Sequence, residues 1–437
     1  MTDVSLQPSG SAPRRHTCSA SAGGPVAKAT TAEAPRPRLR TGQYPRPFWF
    51  LFSGTLVNTA GASIIWPFLT IYLRQRLNVP LTTIAFLLTF NSIVGFVATA
   101  LAGPAVDRLG RKPVMVISLL AASATLVAMT VSGTLPPWVV LMAVNGAAAM
   151  LYRVGADAMV ADLVESQKRT EAYALLRMGA NLGVAIGPAI GGFVTVVSYA
   201  LAFHIAATAH AAFALFLLRF VGETLHRQPK PAADSTAGTS EGYTRLLHDR
   251  PFLAFCGAYT LAGMAYTVLM VLLPVYAKEH FAVPESQYGF IMATNAAMVV
   301  TFQYGVTRVT KRYPHLPVLA AGSLFYAAGV GSVAFGSNFP AFLASMVVLT
   351  IGEMIMVPTA TAFTATLAPP DMRGRYMSIY GLTWSIGMGT GPLIGGLLHD
   401  AIGPVAMWYG GMLMAIASAV AFATTARAFQ GPSSAVA

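Results

Sequence analysis

Two glycine-rich stretches decide the fold: Gly183-Val-Ala-Ile-Gly-Pro-Ala-Ile-Gly-Gly192 and Gly387-Met-Gly-Thr-Gly-Pro-Leu-Ile-Gly-Gly396. Both follow the pattern GxxxGPxxGG, with one copy in each half of the chain. Glycines four residues apart let two helices approach closely, and a Gly-Pro step permits a kink. Two matching copies predict a membrane protein built from two related halves. The repeated positions are Gly183, Gly187, Pro188, Gly191 and Gly192 in the first copy and Gly387, Gly391, Pro392, Gly395 and Gly396 in the second.

The composition around these stretches is that of a membrane protein. Of 437 residues, 55% are hydrophobic and only 10% are charged, whereas soluble domains carry about 25% charged residues. This excludes an ordinary soluble enzyme and a mostly disordered chain. We predict an all-α polytopic membrane protein with twelve transmembrane helices in two pseudosymmetric six-helix bundles. The apolar runs are 48–73, 82–106, 112–132, 137–161, 172–197 and 199–220 in the first bundle, and 251–277, 286–307, 316–336, 339–366, 375–398 and 402–426 in the second.

The positive charges predict the orientation. In the loops on one side of the predicted spans there are only three basic residues, Arg74, Arg76 and Lys278. Apart from Arg153 and Arg177, which fall inside spans, all other Lys and Arg residues lie on the side of the termini. The excess of cations marks the cytoplasmic side, so both termini are expected there, in a multi-pass protein of the inner (cell) membrane.

The same distribution explains the net charge of +12 without a nucleic-acid partner. The segments outside the two bundles, 48–220 and 251–426, are predicted to be a disordered cytoplasmic tail at 1–47, a cytoplasmic linker at 221–250 and a short tail at 427–437.

Catalytic motifs are lacking in the sequence. It contains no HExxH, no GxSxG and no P-loop, and its two cysteines and eight histidines show no metal-ligand spacing. We therefore expect no enzymatic activity, no cofactor and no metal site. The expected partners are a small-molecule substrate, protons and the lipid bilayer, and we expect a monomer.

The loop after the second span carries a second motif, Gly103-Pro-Ala-Val-Asp-Arg-Leu-Gly-Arg-Lys112. This GxxxDRxGRK run resembles the signature of the major facilitator superfamily between spans 2 and 3. The GxxxGPxxGG of span 5 resembles the signature of the drug–proton antiporter branch of that family. The resemblance covers about residues 48–426 and implies a transporter that works by alternating access.

The resemblance also implies a conformational latch. Asp107 would face the start of span 11, where the positive end of a helix favours a carboxylate. The cations of the motif would contact the inner end of span 4, where Asp162 is the natural partner of Arg108 or Arg111. Such a cluster would lock the outward-facing state. The residues of the predicted latch are Gly103, Asp107, Arg108, Gly110, Arg111, Lys112 and Asp162.

Two acids lie well inside spans, Asp157 in span 4 and Glu353 in span 10. A charge at mid-bilayer costs about 2.5–3.5 kcal/mol on insertion scales, so such residues usually face a cavity and carry function. Arg153 shares a helical face with Asp157, and in the family's arrangement it can also meet Glu353 across the cavity. We therefore predict proton coupling at Asp157, Glu353 and Arg153. A structural Arg153–Asp157 ion pair, with Glu353 protonated in the core, remains the alternative.

Amphipathic side chains on the cavity-type spans are candidates for substrate contact, because aromatic and methionine surfaces adapt to varied apolar ligands. A carboxylate would favour a cationic compound, and a free Arg153 an anion. The candidates are Asn58, Trp66, Tyr152, Tyr259, Tyr266, Met354 and Trp384.

These observations predict a secondary transporter that exports small amphipathic compounds of the multidrug type by proton antiport. Two alternatives stay open: a proton symporter or facilitator for a sugar, organic acid or other metabolite, and a non-transporting membrane scaffold or sensor. Neither the substrate nor the proton stoichiometry follows from the sequence.

Overall fold

Twelve long helices make up the protein in a computed structural model that describes residues 44–165, 168–225, 246–369 and 372–430. Most of the predicted tails (1–43 of 1–47, and 431–437 of 427–437) and most of the predicted linker (226–245 of 221–250) lie outside these ranges. The helices are α1 (Arg46–Leu77), α2 (Leu81–Leu109), α3 (Arg111–Val131), α4 (Leu135–Leu163), α5 (Arg169–Val197), α6 (Tyr199–Phe220), α7 (Arg250–Phe281), α8 (Glu285–Thr310), α9 (His315–Ser332), α10 (Phe339–Leu367), α11 (Arg373–Ala401) and α12 (Ala406–Gln430).

Each predicted span overlaps one of these helices, so the predicted all-α membrane fold is confirmed. Ten of the helices are long and apolar enough to cross a membrane by length and composition. The other two, α8 and α11, are just as long but carry more polar side chains. Within α1, the residue pair Trp66-Pro67 begins a single 3-10 turn, because proline cannot donate a backbone hydrogen bond.

The two halves repeat one packing pattern. In the first half, α1 packs on α5 and α6, α2 on α4, and α3 on α4 and α6. In the second half, α7 packs on α11 and α12, α8 on α10, and α9 on α10 and α12. Each packing pair of the second half has the helix numbers of a pair in the first half increased by six. The contacts between the halves follow the same rule, since α2 packs on α11 and α5 on α8.

The repeated glycines explain this packing. A Cβ atom at Gly191 would lie 2.2 Å from the carbonyl oxygen of Ile64 in α1, so only glycine fits there. At Gly391 a Cβ atom would lie 2.5 Å from the carbonyl oxygen of Met264 in α7. Gly183, Gly187 and Gly191 therefore allow α5 to pack closely on α1. Gly387, Gly391 and Gly395 do the same for α11 on α7. Both helices run unbroken through their motif prolines.

The last glycine of each motif has a different role, because it joins the two halves. A Cβ atom at Gly192 would lie 2.8 Å from the carbonyl oxygen of Glu285 and 3.0 Å from the Cα atom of Gly289 in α8. At Gly396 it would lie 3.1 Å from the Cα atom of Thr82 in α2. The duplicated motif thus encodes both the packing inside each half and the contact between halves.

The halves meet at one end of the molecule. We call the end at which α1 begins and α12 ends the tail face, and the opposite end the far face. At the far face, the Arg74 Nε atom donates to Glu279 Oε1 at 2.8 Å, and both the backbone N–H and the hydroxyl of Thr82 donate to Asp400 Oδ2. Tyr199 of α6 also hydrogen-bonds Glu285 of α8.

At the tail face, the polar contacts between described residues stay within a half. Tyr44 donates to Glu171, and Tyr376 donates to Asp249. The hydrogen bonds and ion pairs that join described residues of the two halves lie in the far-face half of the molecule. The described helices are therefore joined by polar contacts at the far face.

Candidate functional site

A carboxyl group lies near the middle of α10. The side-chain amide of Asn295 in α8 donates to Glu353 Oε2 at 2.8 Å and also to Thr350 Oγ1 at 2.9 Å. The hydroxyl of Tyr266 in α7 lies beside the same carboxyl group. Groups from α7 and α8 thus surround Glu353 of α10.

Aromatic rings cover this carboxyl group. The ring of Tyr266 lies 5.6 Å from that of Tyr326 and 5.5 Å from that of Trp384, between ring centroids. Next to them, Tyr380 donates to the hydroxyl of Tyr259 at 3.2 Å. Trp384 is 40% exposed, whereas the tyrosines at 259, 266 and 326 are buried, so the indole ring forms the open side of the cluster. A carboxyl group enclosed by aromatic rings is suited to hold a proton or an amphipathic cation.

No cation lies within ion-pair distance of Glu353 in the described part of the chain. The expected contact of Arg153 with Glu353 is therefore not made in this conformation. The expected ion pair of Arg153 with Asp157 is also not formed among the described residues, although both side chains are exposed on α4. The hydroxyl of Tyr173 donates to the backbone carbonyl oxygen of Asp157 at 2.9 Å and not to the Asp157 carboxylate.

The neighbours of Arg153 and Glu353 define the helix faces on which they lie. Successive helical residues are rotated by about 100°. Tyr152 contacts Thr55 of α1, a Cβ atom at Gly146 would contact Asn91 of α2, and Arg153 lies between these two directions. Its side chain is exposed there. Glu353 lies on the face of α10 that contacts Asn295 of α8.

The residues predicted to contact substrate differ in how exposed their side chains are. Trp66 and Trp384 are each 40% exposed, whereas Tyr259, Tyr266 and Met354 are buried. Met354 is 2% exposed and so does not line open space in this conformation. Tyr152 shares a hydrogen bond with Thr55 at 3.1 Å. The side-chain oxygen of Asn58 is buried and has no hydrogen-bond partner within the described ranges.

The predicted latch is organised around Arg111. Its Nε atom donates to Asp162 Oδ2 at 2.9 Å, and its Nη1 atom lies 3.5 Å from Asp107 Oδ1. Of the two possible partners of Asp162, the structure thus selects Arg111 rather than Arg108. The side chain of Asp107 is 70% exposed, and its one ion pair among the described residues is with Arg111, so it does not bind α11 in this conformation.

The two glycines of the latch differ in whether their position requires glycine. Gly110 has a φ of +104°, a backbone conformation that favours glycine, and a Cβ atom there would lie 2.6 Å from Glu223. A Cβ atom at Gly103 would meet nothing within 4 Å. Lys112 donates through Nζ to the Leu218 carbonyl oxygen at 2.9 Å, which ties α3 to α6.

Several functional residues are missing from the sequence-based prediction. Asn295, Tyr326 and Tyr380 surround the carboxyl cluster, and Glu223 accepts from the backbone N–H groups of Arg111 and Lys112 at 3.1 and 3.0 Å. An asparagine inside an apolar span is the signal that could have pointed to Asn295, since polar side chains inside spans usually face a cavity or another helix.

Comparison with known proteins gives one family. The family model described as Major Facilitator Superfamily matches residues 51–261 and 255–435. The chain is 27% identical to the uncharacterized MFS-type transporter YdeE of Escherichia coli K12, over 82% of this chain and 90% of that one. It is 26% identical to a Na⁺, Li⁺, K⁺/H⁺ antiporter of Planococcus maritimus, over 76% and 84% of the two chains.

A multidrug resistance protein, MdtH of Shigella boydii, is 24% identical over 80% of this chain and 86% of its own length. Among solved structures, the nucleoside transporter NupG superposes with a TM-score of 0.74 at 15% identity, covering 86% of this chain and 99% of that one. At that identity the superposition supports the fold alone.

Proposed function

The chain belongs to the Major Facilitator Superfamily, and from this premise we propose that it is a proton-coupled secondary transporter that exports small amphipathic cations of the multidrug type. Glu353 binds the proton, and proton and substrate compete for its carboxyl group. The observation that carries the proposal is a mid-helix carboxyl group that accepts a hydrogen bond from Asn295 and lies beside the aromatic rings of Tyr266 and Trp384, with no basic partner in the described residues.

Two relatives support this choice of substrate and coupling. The names of MdtH and of the Planococcus antiporter state multidrug resistance and cation–proton antiport, respectively. Export here means movement from the tail face to the far face, with the tail face in the cytoplasm as the Lys and Arg distribution predicts. Substrate enters the cluster from the tail face.

Transport into or out of proteoliposomes with an imposed pH gradient tests the proposal. The full-length Glu353→Gln variant keeps the size and one hydrogen-bonding oxygen of the side chain but cannot release a proton. We expect it to lose gradient-driven uphill transport of a fluorescent organic cation, such as ethidium, and to bind ethidium more weakly, because the carboxylate that attracts the cation is gone. Glu165→Gln is the matched control, because Glu165 is exposed after the end of α4 and its ion-pair partner among the described residues is Lys168, at 3.1 Å. Undiminished uphill transport by Glu353→Gln would refute the assignment.

A second candidate is the export of organic anions. It is favoured by Arg153, whose side chain is exposed on α4 and has no ion-pair partner in the described chain. Counterflow with an aromatic carboxylate instead of ethidium separates the two candidates. Transport of the anion that disappears in Arg153→Gln, with no ethidium transport in the parent protein, would favour this second function.

A further inference from the structure

Three residues of metal-ligand type gather at the far face, although the sequence predicts no metal site. Glu279 and His280 end α7, and His399 lies near the end of α11. One ligand atom from each lies within 4.8 Å of the other two. The two imidazole rings are 6.2 Å apart between centroids. The fold thus brings His399 of α11 next to the adjacent residues Glu279 and His280 of α7, which gives two nitrogen ligands and one oxygen ligand.

The imidazoles are arranged as metal ligands are. His399 donates through Nδ1 to Asp400 Oδ1 at 2.9 Å, which fixes the ring and leaves Nε2 as a lone-pair donor. Metal-binding histidines usually make such a hydrogen bond through the other ring nitrogen, and it raises their basicity. Neither ring nitrogen of His280 makes a hydrogen bond to the described residues; its ring packs on Tyr276 at 5.0 Å.

We propose that Glu279, His280 and His399 form a binding site for a divalent transition-metal cation of the zinc class. Two imidazoles and one carboxylate are the three-ligand set of many open zinc sites, in which water takes the fourth position. Harder cations such as Mg²⁺ and Ca²⁺ prefer sites made of oxygen ligands only, so this ligand set selects against them.

The site is connected to the closure between the halves. Glu279 Oε1 accepts from Arg74 of α1 at 2.8 Å, and Asp400, which orients His399, accepts from Thr82 of α2. A bound cation competes with the guanidinium of Arg74 for Glu279, so it weakens the contact of α1 with α7. Metal bound at the far face therefore acts on the part of the molecule that has to open during transport. This consequence rests on the proposed function, whereas binding of the metal does not.

Calorimetric titration of the tag-free, full-length protein in nanodiscs with Zn²⁺ tests the site. His16 and Cys18 are replaced by Ala and Ser in every sample, because they offer a second pair of ligands in the N-terminal tail. We expect one Zn²⁺ per chain, and a loss of affinity of at least about 10-fold in His280→Ala and in His399→Ala. His204→Ala, which removes an exposed histidine of α6, should leave affinity unchanged.

Cobalt provides a second measurement that does not depend on activity. Co²⁺ bound by two imidazoles and a carboxylate should give a visible absorption band of four- or five-coordinate cobalt, absent from the His280→Ala/His399→Ala variant. Zinc affinity that is the same in all these variants, or no zinc binding by the parent, would overturn the site. Zinc binding with no effect on ethidium flux would refute only the link to closure, and loss of flux in Glu353→Gln stays a separate result.

Discussion

At the residue scale, Glu353 and the aromatic residues Tyr266 and Trp384 were recognisable in the sequence, but Asn295, which hydrogen-bonds Glu353, was not. An acid at the middle of an apolar run stands out because inserting its charge into a membrane is unfavourable, so such a residue usually has a function or a polar partner. Asn295, which donates to the carboxyl group, and Tyr266, which lies beside it, come from two other helices, and no local pattern fixes which way those side chains point. The sequence therefore predicts the reactive group, and the structure adds the groups that control it.

Asn295→Leu tests that control. Its amide N–H stabilises the charged form of the neighbouring carboxyl group, so its loss favours the protonated form of Glu353. We expect the midpoint of the pH profile of ethidium transport to move to higher pH, with the maximal rate less affected than in Glu353→Gln.

The matched control is Asn91→Leu, because the Asn91 amide donates to the backbone carbonyl of Met142 at 2.8 Å, inside the first half. An unchanged pH profile in Asn295→Leu, or an equal displacement in Asn91→Leu, would contradict the role given to Asn295.

At the element scale, the glycine motif could be read from the sequence almost completely. Its spacing predicts close helix pairs, and the structure shows which pairs they are, α5 with α1 and α11 with α7. Gly192 and Gly396 contact the opposite half, which could not be predicted. Each follows directly after a glycine that contacts its own half, and the sequence does not show which way either one faces. The latch shows the same limit: Asp107 and Arg111 were identifiable, but Glu223, which accepts from the first N–H groups of α3, lies far away in the sequence.

Gly191→Ala tests the packing of α5 on α1. The added methyl group would lie 2.2 Å from a backbone oxygen of Ile64, which cannot move aside as a flexible side chain would. We expect a destabilisation of about 1–3 kcal/mol, typical of overpacking, measured as a lower midpoint of thermal aggregation in detergent.

Gly381→Ala is its control on α11, because a Cβ atom there meets nothing within 4 Å. Alanine also has the higher helix propensity, by about 1 kcal/mol, so this variant should be unchanged or slightly more stable. Equal thermal midpoints for the two variants would show that α5 and α1 are not in close contact.

At the scale of the whole molecule, the number of helices and their duplication follow from the sequence, but the conformational state does not. The hydrophobic pattern is the same whether the tail face or the far face is closed, since a rocking motion of two halves leaves each half intact. Two such states differ by a few kcal/mol, which a small number of contacts decides. Here those contacts are Arg74 with Glu279, Thr82 with Asp400 and Tyr199 with Glu285, all between residues from different helices.

The contact of Arg74 with Glu279 gives a direct test of alternating access. In a background with Ser at positions 18 and 256, the pair Arg74→Cys and Glu279→Cys places one thiol on α1 and one on α7 at the far face. If the far face opens in each cycle, a short bifunctional thiol reagent should join the two halves and stop ethidium transport, and cleavage of the linker by a reductant should restore it. Each single-cysteine variant, treated in the same way, should continue to transport, since nothing then ties α1 to α7. Full transport by the cross-linked protein would mean that substrate leaves without separation of the halves at this point, and the closed far face would then not be one end of the transport cycle.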